Sequence, residues 1–325
     1  FNVDALIVNK KDFSLSASFN IGFNKNRVEK FKNGESNYKT YSSKWNGNSA
    51  APFDDYIIRE GEAVGQMYGY ITGGMYTFDD FDYIGTGTYP YRLKGDTDGS
   101  KTEAAASLIG AKYFGPGSLK LVDKDGNIAT STDAKTVIGN ANPDLIGGFN
   151  LTARYKGFDL SAFFNFSIGN DVYNANKIDN SCYSGSRKYN NLVEEMKNRF
   201  TYIDPATGYL AYNDPVRLAE INKNATIWSP YMTTAVLHSW AVEDGSFLRF
   251  NNLTLGYTFP KRWVKKLGLT NLRIYGTVYN VCVITGYSGF DPEVSTRNST
   301  AMTPGVDYSA YPKSRSFIGG VNVSF

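Results

Sequence analysis

The sequence is poor in the residues that carry most protein chemistry. One histidine, His238, serves all 325 residues, so a Ser-His-Asp or Cys-His constellation has a single base to draw on. His238 stands just before a strand-like segment, beside Trp and Ser but without a recognisable nucleophile motif, and catalysis is not expected of it. Cys182 and Cys282 lie far apart and make no disulfide framework. With no C-x-x-C pair and no His/Cys cluster, a zinc site is not expected. The 34 basic and 31 acidic side chains nearly cancel to a net charge of +3, which argues against a nucleic-acid binder held by phosphate neutralisation. No run of like charges forms a tail. No stretch of about 18 apolar residues exists, so no transmembrane helix is expected. The chain opens on "FNVDALIVN" without a start Met or signal peptide. That opening already reads as strand, so the chain looks like a piece of a longer protein, and the missing leader says nothing about compartment.

Aromatic residues, by contrast, are plentiful. There are 24 Tyr and 21 Phe, and aromatics reach 15% in a chain whose mean hydropathy is only -0.35. A polar chain rich in aromatics suits a membrane β-barrel, where aromatic girdles meet lipid while loops and lumen stay polar. "FSLSASFNIGFN" (13–24) alternates strictly: Phe13, Leu15, Ala17, Phe19, Ile21 and Phe23 on one side, Ser, Asn and Gly on the other. The stripe is too apolar for a wet surface, and the opposite face too polar for a packed core. The same period of two recurs in "GGFNLTARY" and "FDLSAFFNFSIG", a hairpin about "YKGFD" (155–159), and in "SFLRFNNLTLGYTF", "NLRIYGTVYNVCV" and "SFIGGVNVSF". With residues 1–9 these make seven strands. Their connections alternate between tight ("KKD", "YKGFD", "PKRWVKKLGLT") and long (31–61, 172–240, 284–313), as expected for short turns at one end of a barrel and long loops at the other. Residues 61–146, including the Gly-punctuated "GEAVGQMYGYITGGMYT", hold either one outer excursion or two further strands, giving nine; the excursion is preferred. A helix is expected in "NLVEEMKNRF", with Leu192, Val193, Met196 and Phe200 on one face and Asn190 or Asn191 as cap. The fold class expected is all-β, part of a transmembrane antiparallel barrel, because an open sheet would leave edges unpaired in hydrocarbon.

Several strings carry a more specific resemblance. "WAVEDGSFLRFNNLTLGYTFPKRW" (240–263), "YNVCVITGYSGFDPEV" (279–294) and the terminal "GGVNVSF" (319–325) closely resemble the C-terminal barrel of the SusC/RagA family of TonB-dependent outer-membrane transporters. Residues 61–77 and 138–174 are similar to the same family, in the same order. The resemblance implies a 22-stranded barrel, of which residues 1–325 would be roughly the last third, with the plug domain, TonB box and N-terminal strands outside this chain. It also implies a SusD-like surface lipoprotein as lid, energy from the inner-membrane TonB complex, contact with outer-membrane lipid, a glycan or peptide as cargo, residence in the outer membrane, and no cofactor. Asp244, Gly245, Arg249, Gly289, Asp291, Pro292 and Phe325 match the family's structural strings. The terminal aromatic, Phe325, is the kind read by barrel-insertion machinery in that family. Two rivals remain: a passive porin-like barrel, and a β-rich glycan-binding surface module. An enzyme is not expected.

Each candidate site has a plainer reading beside it. Asp123 and Asp125 in "LVDKDGNIA" suggest a calcium loop, but the third ligand and closing Glu are missing, and an Asp/Gly turn suffices. Asp291 and Glu293 are more economically a turn fixed by Pro292 than an acid–base pair. Glu243, Asp244 and Arg249 read as ion-pairing groups of the wall or a loop. "PKRWVKKLG" (260–268) reads as interfacial anchoring by Trp and Lys. Trp45, Tyr183, Trp228, Tyr231 and Tyr287, placed in loops and read as exposed, are the candidates for contact with cargo or partner.

Overall fold

The computed structural model describes residues 1–32, 36–45, 54–183, 191–296 and 301–325. Its spine is one seven-stranded antiparallel sheet: β1 (Asn2–Lys10), β2 (Phe13–Gly22), β3 (Leu145–Tyr155), β4 (Phe158–Ile168), β5 (Phe247–Thr258), β6 (Asn271–Thr285) and β7 (Ser316–Ser324), in chain order from edge to edge. The seven strands are those the alternation marks. β2 stops at Gly22, whose ladder partner is Ile146. Between residue 61 and the start of β3 at Leu145 no further strand joins this sheet. The short strands there, Gln66–Gly69 and Ile71–Met75, pair instead with Thr136–Asn140 and Leu119–Val122. The stretch is therefore an excursion.

Register carries the two faces of single strands across the whole sheet. Val3, Phe19, Phe149, Phe164 and Phe250 follow one another as ladder partners. Within that row Phe149 stacks on Phe164 at 4.4 Å, and Phe164 on Phe250 at 4.2 Å. Near the tight turns a second row runs through Phe13, Tyr155, Phe158, Tyr257, Ile274 and Val321. Phe19 lies six steps along β2 from Phe13, about 20 Å at roughly 3.3 Å per residue. The apolar face is thus a band bounded by two aromatic rows. The opposite face is polar: Ser16, Thr152, Ser161, Thr254 and Thr277 form a row of hydroxyls, with Thr254 and Thr277 hydrogen-bonded at 2.9 Å.

The buried core lies elsewhere, in the long connections. Tyr76, Phe81, Tyr91, Phe114, Phe200, Tyr202, Tyr212 and Trp228 pack with the apolar face of α1 (Ser100–Ile109) into one cluster. Aromatic edges meet faces throughout, as Tyr76 and Phe114 do at 5.4 Å, the arrangement ring quadrupoles favour. Gly117 sits in the left-handed region at φ 82°, and a Cβ there would lie 2.1 Å from the Phe200 ring. A smaller cluster of Trp45, Tyr56, Met67, Tyr173 and Val306 joins the excursion to the loops after β4 and β6.

The helix expected in 191–200 is corrected. Glu194–Asn198 is a single 3-10 turn whose cap, Val193, makes no side-chain bond; Asn190 lies outside the described residues. Tertiary hydrogen bonds end it on both sides, Val193 N to Asn180 O at 3.1 Å and Phe200 N to Ile227 O at 2.9 Å. Met196 and Phe200 are nonetheless buried, as their spacing suggested.

Candidate functional site

The polar face of the sheet meets the loops in a cleft of about 790 Å³ at the end away from the tight turns. Its polar lining comes from amides and carboxylates, including Asn20, Asn165, Asn170, Asp171 and Glu293. One wall is the segment after β6, which folds back across the polar face. A bulge sets up that fold: opposite Asn251, β6 carries two residues, Asn280 and Val281, and Asn280 takes φ 51°. Bulges of this kind re-aim a side chain and raise local twist. Asn280 thereby offers its Oδ1 to Arg249 Nη1 at 2.9 Å.

Arg249 is the centre of a clasp. Its Nη2 donates to Asp291 Oδ1 at 2.5 Å, and its Nε lies 3.4 Å from Glu293 Oε2. Lys313 reaches Glu293 at 2.5 Å and Asp291 at 3.8 Å. Arg249 and Asp291 are buried, and the Asp291 carboxylate also accepts from the Glu293 backbone N–H at 2.9 Å. This is the Pro292 turn, locked by an ion pair, and not an acid–base pair poised on open space. A second clasp lies beside it. Glu243 accepts from Ser288 Oγ at 2.8 Å and Ser288 N at 2.9 Å, and lies 3.2 Å from Lys177 Nζ. Burial alone would raise the Glu243 carboxyl, but the Ser288 donors and Lys177 hold it below its usual range. Asp244 caps the turn before β5, accepting from Ser246 N at 2.9 Å. Gly245 has no room for a side chain, since a Cβ would meet Asn170 Nδ2 at 2.5 Å. Gly289 is as tight against the Tyr287 ring.

The aromatic candidates divide, and the reading of them as exposed is corrected for three. Trp45 is 2% exposed, with its Nε1 donating to Tyr173 Oη at 2.6 Å. Trp228 is 4% exposed, against Trp240 and His238. Tyr287 is 6% exposed, its hydroxyl donating to Asp307 Oδ2 at 2.6 Å. Each fills a gap between loops, where a large ring buries more area than any aliphatic side chain. Tyr183 and Tyr231 do come together, edge to face at 5.5 Å. They line a pocket of about 260 Å³ with Arg199, Asn180 and Thr201, and Tyr183 remains 40% exposed.

The chemical candidates are structural where the structure places them. Asp123 closes an Asx turn, its Oδ1 accepting from Asp125 N at 2.9 Å and Asn127 N at 2.8 Å. Those bonds hold its carboxyl below the usual range. Among the described residues no group of three or more His, Cys, Asp or Glu could hold a metal ion. His238 is buried, with Nδ1 2.7 Å from Thr72 Oγ1. Burial, aided by the charge of Lys177, pushes its imidazole down to about 3, so it stays neutral. Trp263 and Leu267, in the turn between β5 and β6, are exposed beside Lys261, Arg262, Lys265 and Lys266. Phe325 is exposed at the end of β7.

Comparison with known proteins decides the relationship. TonB-dependent receptor P3 of Formosa agariphila is 30% identical over 334 residues, which span 100% of this chain and 28% of the receptor. The chain is homologous to TonB-dependent receptors. SusC of Bacteroides thetaiotaomicron, another of them, is 24% identical over 332 residues, 100% of this chain and 26% of its own length. Among solved structures, the RagAB peptide importer in its 'open-open' state superposes with a TM-score of 0.67 at 20% identity, covering 100% of this chain and 28% of that one. No family model matches. The chain thus spans under a third of the length of these receptors, and its open seven-stranded sheet has the fold of part of their barrels.

Several residues of these clasps escaped sequence reading. Lys177, Asn280, Ser288 and Lys313 complete the two clasps; Lys177 and Lys313 stand in no quoted string, and Asn280 and Ser288 lie in 279–294 without having been singled out there. Their partners lie 20 to 66 positions away, and no local pattern announces them. The one available signal was charge: an Arg inside an otherwise alternating strand, Arg249, demands a buried acid.

Proposed function

We propose that this chain forms wall and outer mouth of an outer-membrane importer that takes up an oligosaccharide or peptide with a SusD-like lipoprotein and TonB-derived energy. The observation that carries the reading is the apolar band between two aromatic rows, backed by a continuous polar face. Lipid on one side and water on the other is the environment that satisfies such a sheet. The homologues are receptors and transporters, not enzymes, which supports transport without covalent chemistry. The excursion and the long connection after β4, with Tyr183 and Tyr231 at a small polar pocket, serve in this reading as rim for cargo and lid. The Arg249 and Glu243 clasps hold the mouth in shape. A passive porin shares the wall but predicts no lipoprotein partner and no energy requirement.

The test is to express the full receptor with an affinity tag, separate the membranes and solubilise the outer fraction in detergent. Recovery there, with a surface lipoprotein retained through purification, is expected. Recovery in the water-soluble fraction would defeat the barrel reading, and recovery from the outer membrane without a lipoprotein would favour the porin. Uptake that survives deletion of TonB would also favour the porin.

A further inference from the structure

The two ends of the sheet treat charge differently. At the loop end the cations of the clasps meet acids of the same chain: Arg249 with Asp291, Lys177 with Glu243, Lys313 with Glu293. At the other end three tight turns join β1 to β2, β3 to β4 and β5 to β6. They carry Lys10 and Lys11 in the first, Lys156 in the second, and Lys261, Arg262, Lys265 and Lys266 in the third, against Asp12 as their lone acid. All of these cations are exposed, and none takes part in an ion pair among the described residues. The nearby carboxylate of Asp159 is already paired with Arg273 at 2.5 Å.

These cations stand where the apolar band stops. Lys10 is the ladder partner of Phe13 and so shares the apolar face with it. Lys156 takes φ 55° and places its Nζ 5.3 Å from the centre of the Tyr155 ring, in the aromatic row. In the third turn, rings lead from that row into the basic stretch: Phe158 to Tyr257 at 4.6 Å, Tyr257 to Phe259 at 5.0 Å, Phe259 to Trp263 at 6.5 Å. Lys261–Val264 forms one helical turn, Lys265–Leu267 continues it as a 3-10 turn, and Gly268 ends it at φ 73°. Val264 is its buried foot, while Trp263 and Leu267 are exposed. The Arg262 guanidinium lies 5.9 Å from the centre of the Trp263 ring. Apolar surface and unanswered positive charge thus share one short segment.

Trp and Lys anchor a protein at the surface of any bilayer. A rim of cations with a lone acid selects further, because a zwitterionic surface offers them no net charge. The partner that fits both features has an apolar body lying on the band and an anionic head beyond its aromatic edge. We propose that the tight-turn rim binds the headgroups of anionic glycerophospholipids. Their phosphates meet the lysines and Arg262, and their acyl chains lie along the apolar band. Lysine stems can cross apolar surface while the ammonium reaches the headgroup level. The inference rests on the barrel reading and names the lipid which that reading leaves open.

The test places the full receptor in nanodiscs of phosphatidylcholine and phosphatidylglycerol, with one or the other brominated on its acyl chains. The fluorescence lost in Trp263→Phe isolates the signal of Trp263. Quenching of that signal, titrated against mole fraction, is expected to give a higher relative affinity for phosphatidylglycerol. Lys261→Gln, Lys265→Gln and Lys266→Gln should each lower that preference about fivefold. Salt at about 1 M, where charges are screened beyond about 3 Å, should remove it. Equal quenching by the two lipids, or a preference that survives the triple substitution or the salt, would overturn the proposal and leave the barrel reading intact, since lipid would still touch Trp263. No quenching by either lipid in a receptor that enters the disc would overturn it and assign the turn to a partner other than lipid. A receptor that stays water-soluble would defeat the barrel reading and this inference with it.

Discussion

The sheet and the excursion solve the burial problem in opposite ways. Within the wall strands the side chains buried in this chain are few: Ala162, Phe247, Arg249 and Thr277. Leu151, Leu160, Leu255, Phe317 and Val321 stand exposed on the apolar face. In the excursion and the loops that join it, Tyr70, Phe114, Tyr202, Leu218 and Trp228 are buried almost completely. Within this chain the wall's apolar face has no apolar partner among the described residues, whereas the excursion makes its own. Stability of the wall therefore depends on which face a residue occupies, and stability of the excursion on volume and polar satisfaction.

The Arg249 clasp ties the wall to the segment after β6, and breaking it carries the largest effect. Arg249→Met removes the buried guanidinium from Asp291 and leaves only Lys313 at 3.8 Å as a counter-charge, at a cost of about 3 kcal/mol. Limited proteolysis should then cut the segment after β6 at protease levels the parent resists. An unchanged digestion pattern would remove the clasp from the account of the mouth. The next contrast lies within the wall. Leu151→Arg places a cation on the apolar band and should cost about 2–4 kcal/mol in a lipid bilayer. Thr152→Arg, one residue on and facing the polar side, should cost far less. Equal losses of heat-resistant folded receptor on gels would show that the faces are misassigned.

Acid should act on the excursion and its loops through two buried groups of opposite sign. The His238 imidazole, held down near 3 by burial and Lys177, contributes stability that is present above about 6.5 and falls as pH drops, by about 1.4 kcal/mol per pH unit. The Asp55 carboxyl accepts from Ser43 N at 2.7 Å and Ser43 Oγ at 2.5 Å. Burial pushes it up to about 6 even so. Its contribution is present below about 4 and is lost as pH rises through about 6. Between pH 6 and 4 the two nearly cancel. Asp55→Asn should make the fluorescence melting temperature fall on acidification over that range, and His238→Gln should make it rise. Parallel slopes in the two variants would contradict this assignment. The smallest effect belongs to the pocket rim. Tyr231→Ala should weaken cargo affinity by about 0.5–1.5 kcal/mol, measured by equilibrium binding to the purified receptor, and leave wall melting unchanged.

Legibility followed the same division. Phe13 to Phe23 announced both faces of β2, and the register then extended that pattern over six neighbours. Arg249 and Asp291 were visible as charges, though their pairing across 42 positions was not. Trp45, Trp228 and Tyr287 misled because a loop aromatic looks the same in sequence whether it meets cargo or fills a gap. The turn Glu194–Asn198 misled because helical spacing of Met196 and Phe200 survives in a single 3-10 turn.

The period of two determined the wall by itself. Successive strand residues point to opposite sides whatever surrounds them, so an uninterrupted alternation fixes strand, faces and environment together. Only the tertiary structure decided the excursion, the clasps, the cleft and the pocket. Their contacts join residues tens to more than a hundred positions apart, through turns and bulges with no period, and nothing local records which ring will be buried or which carboxylate an arginine will find.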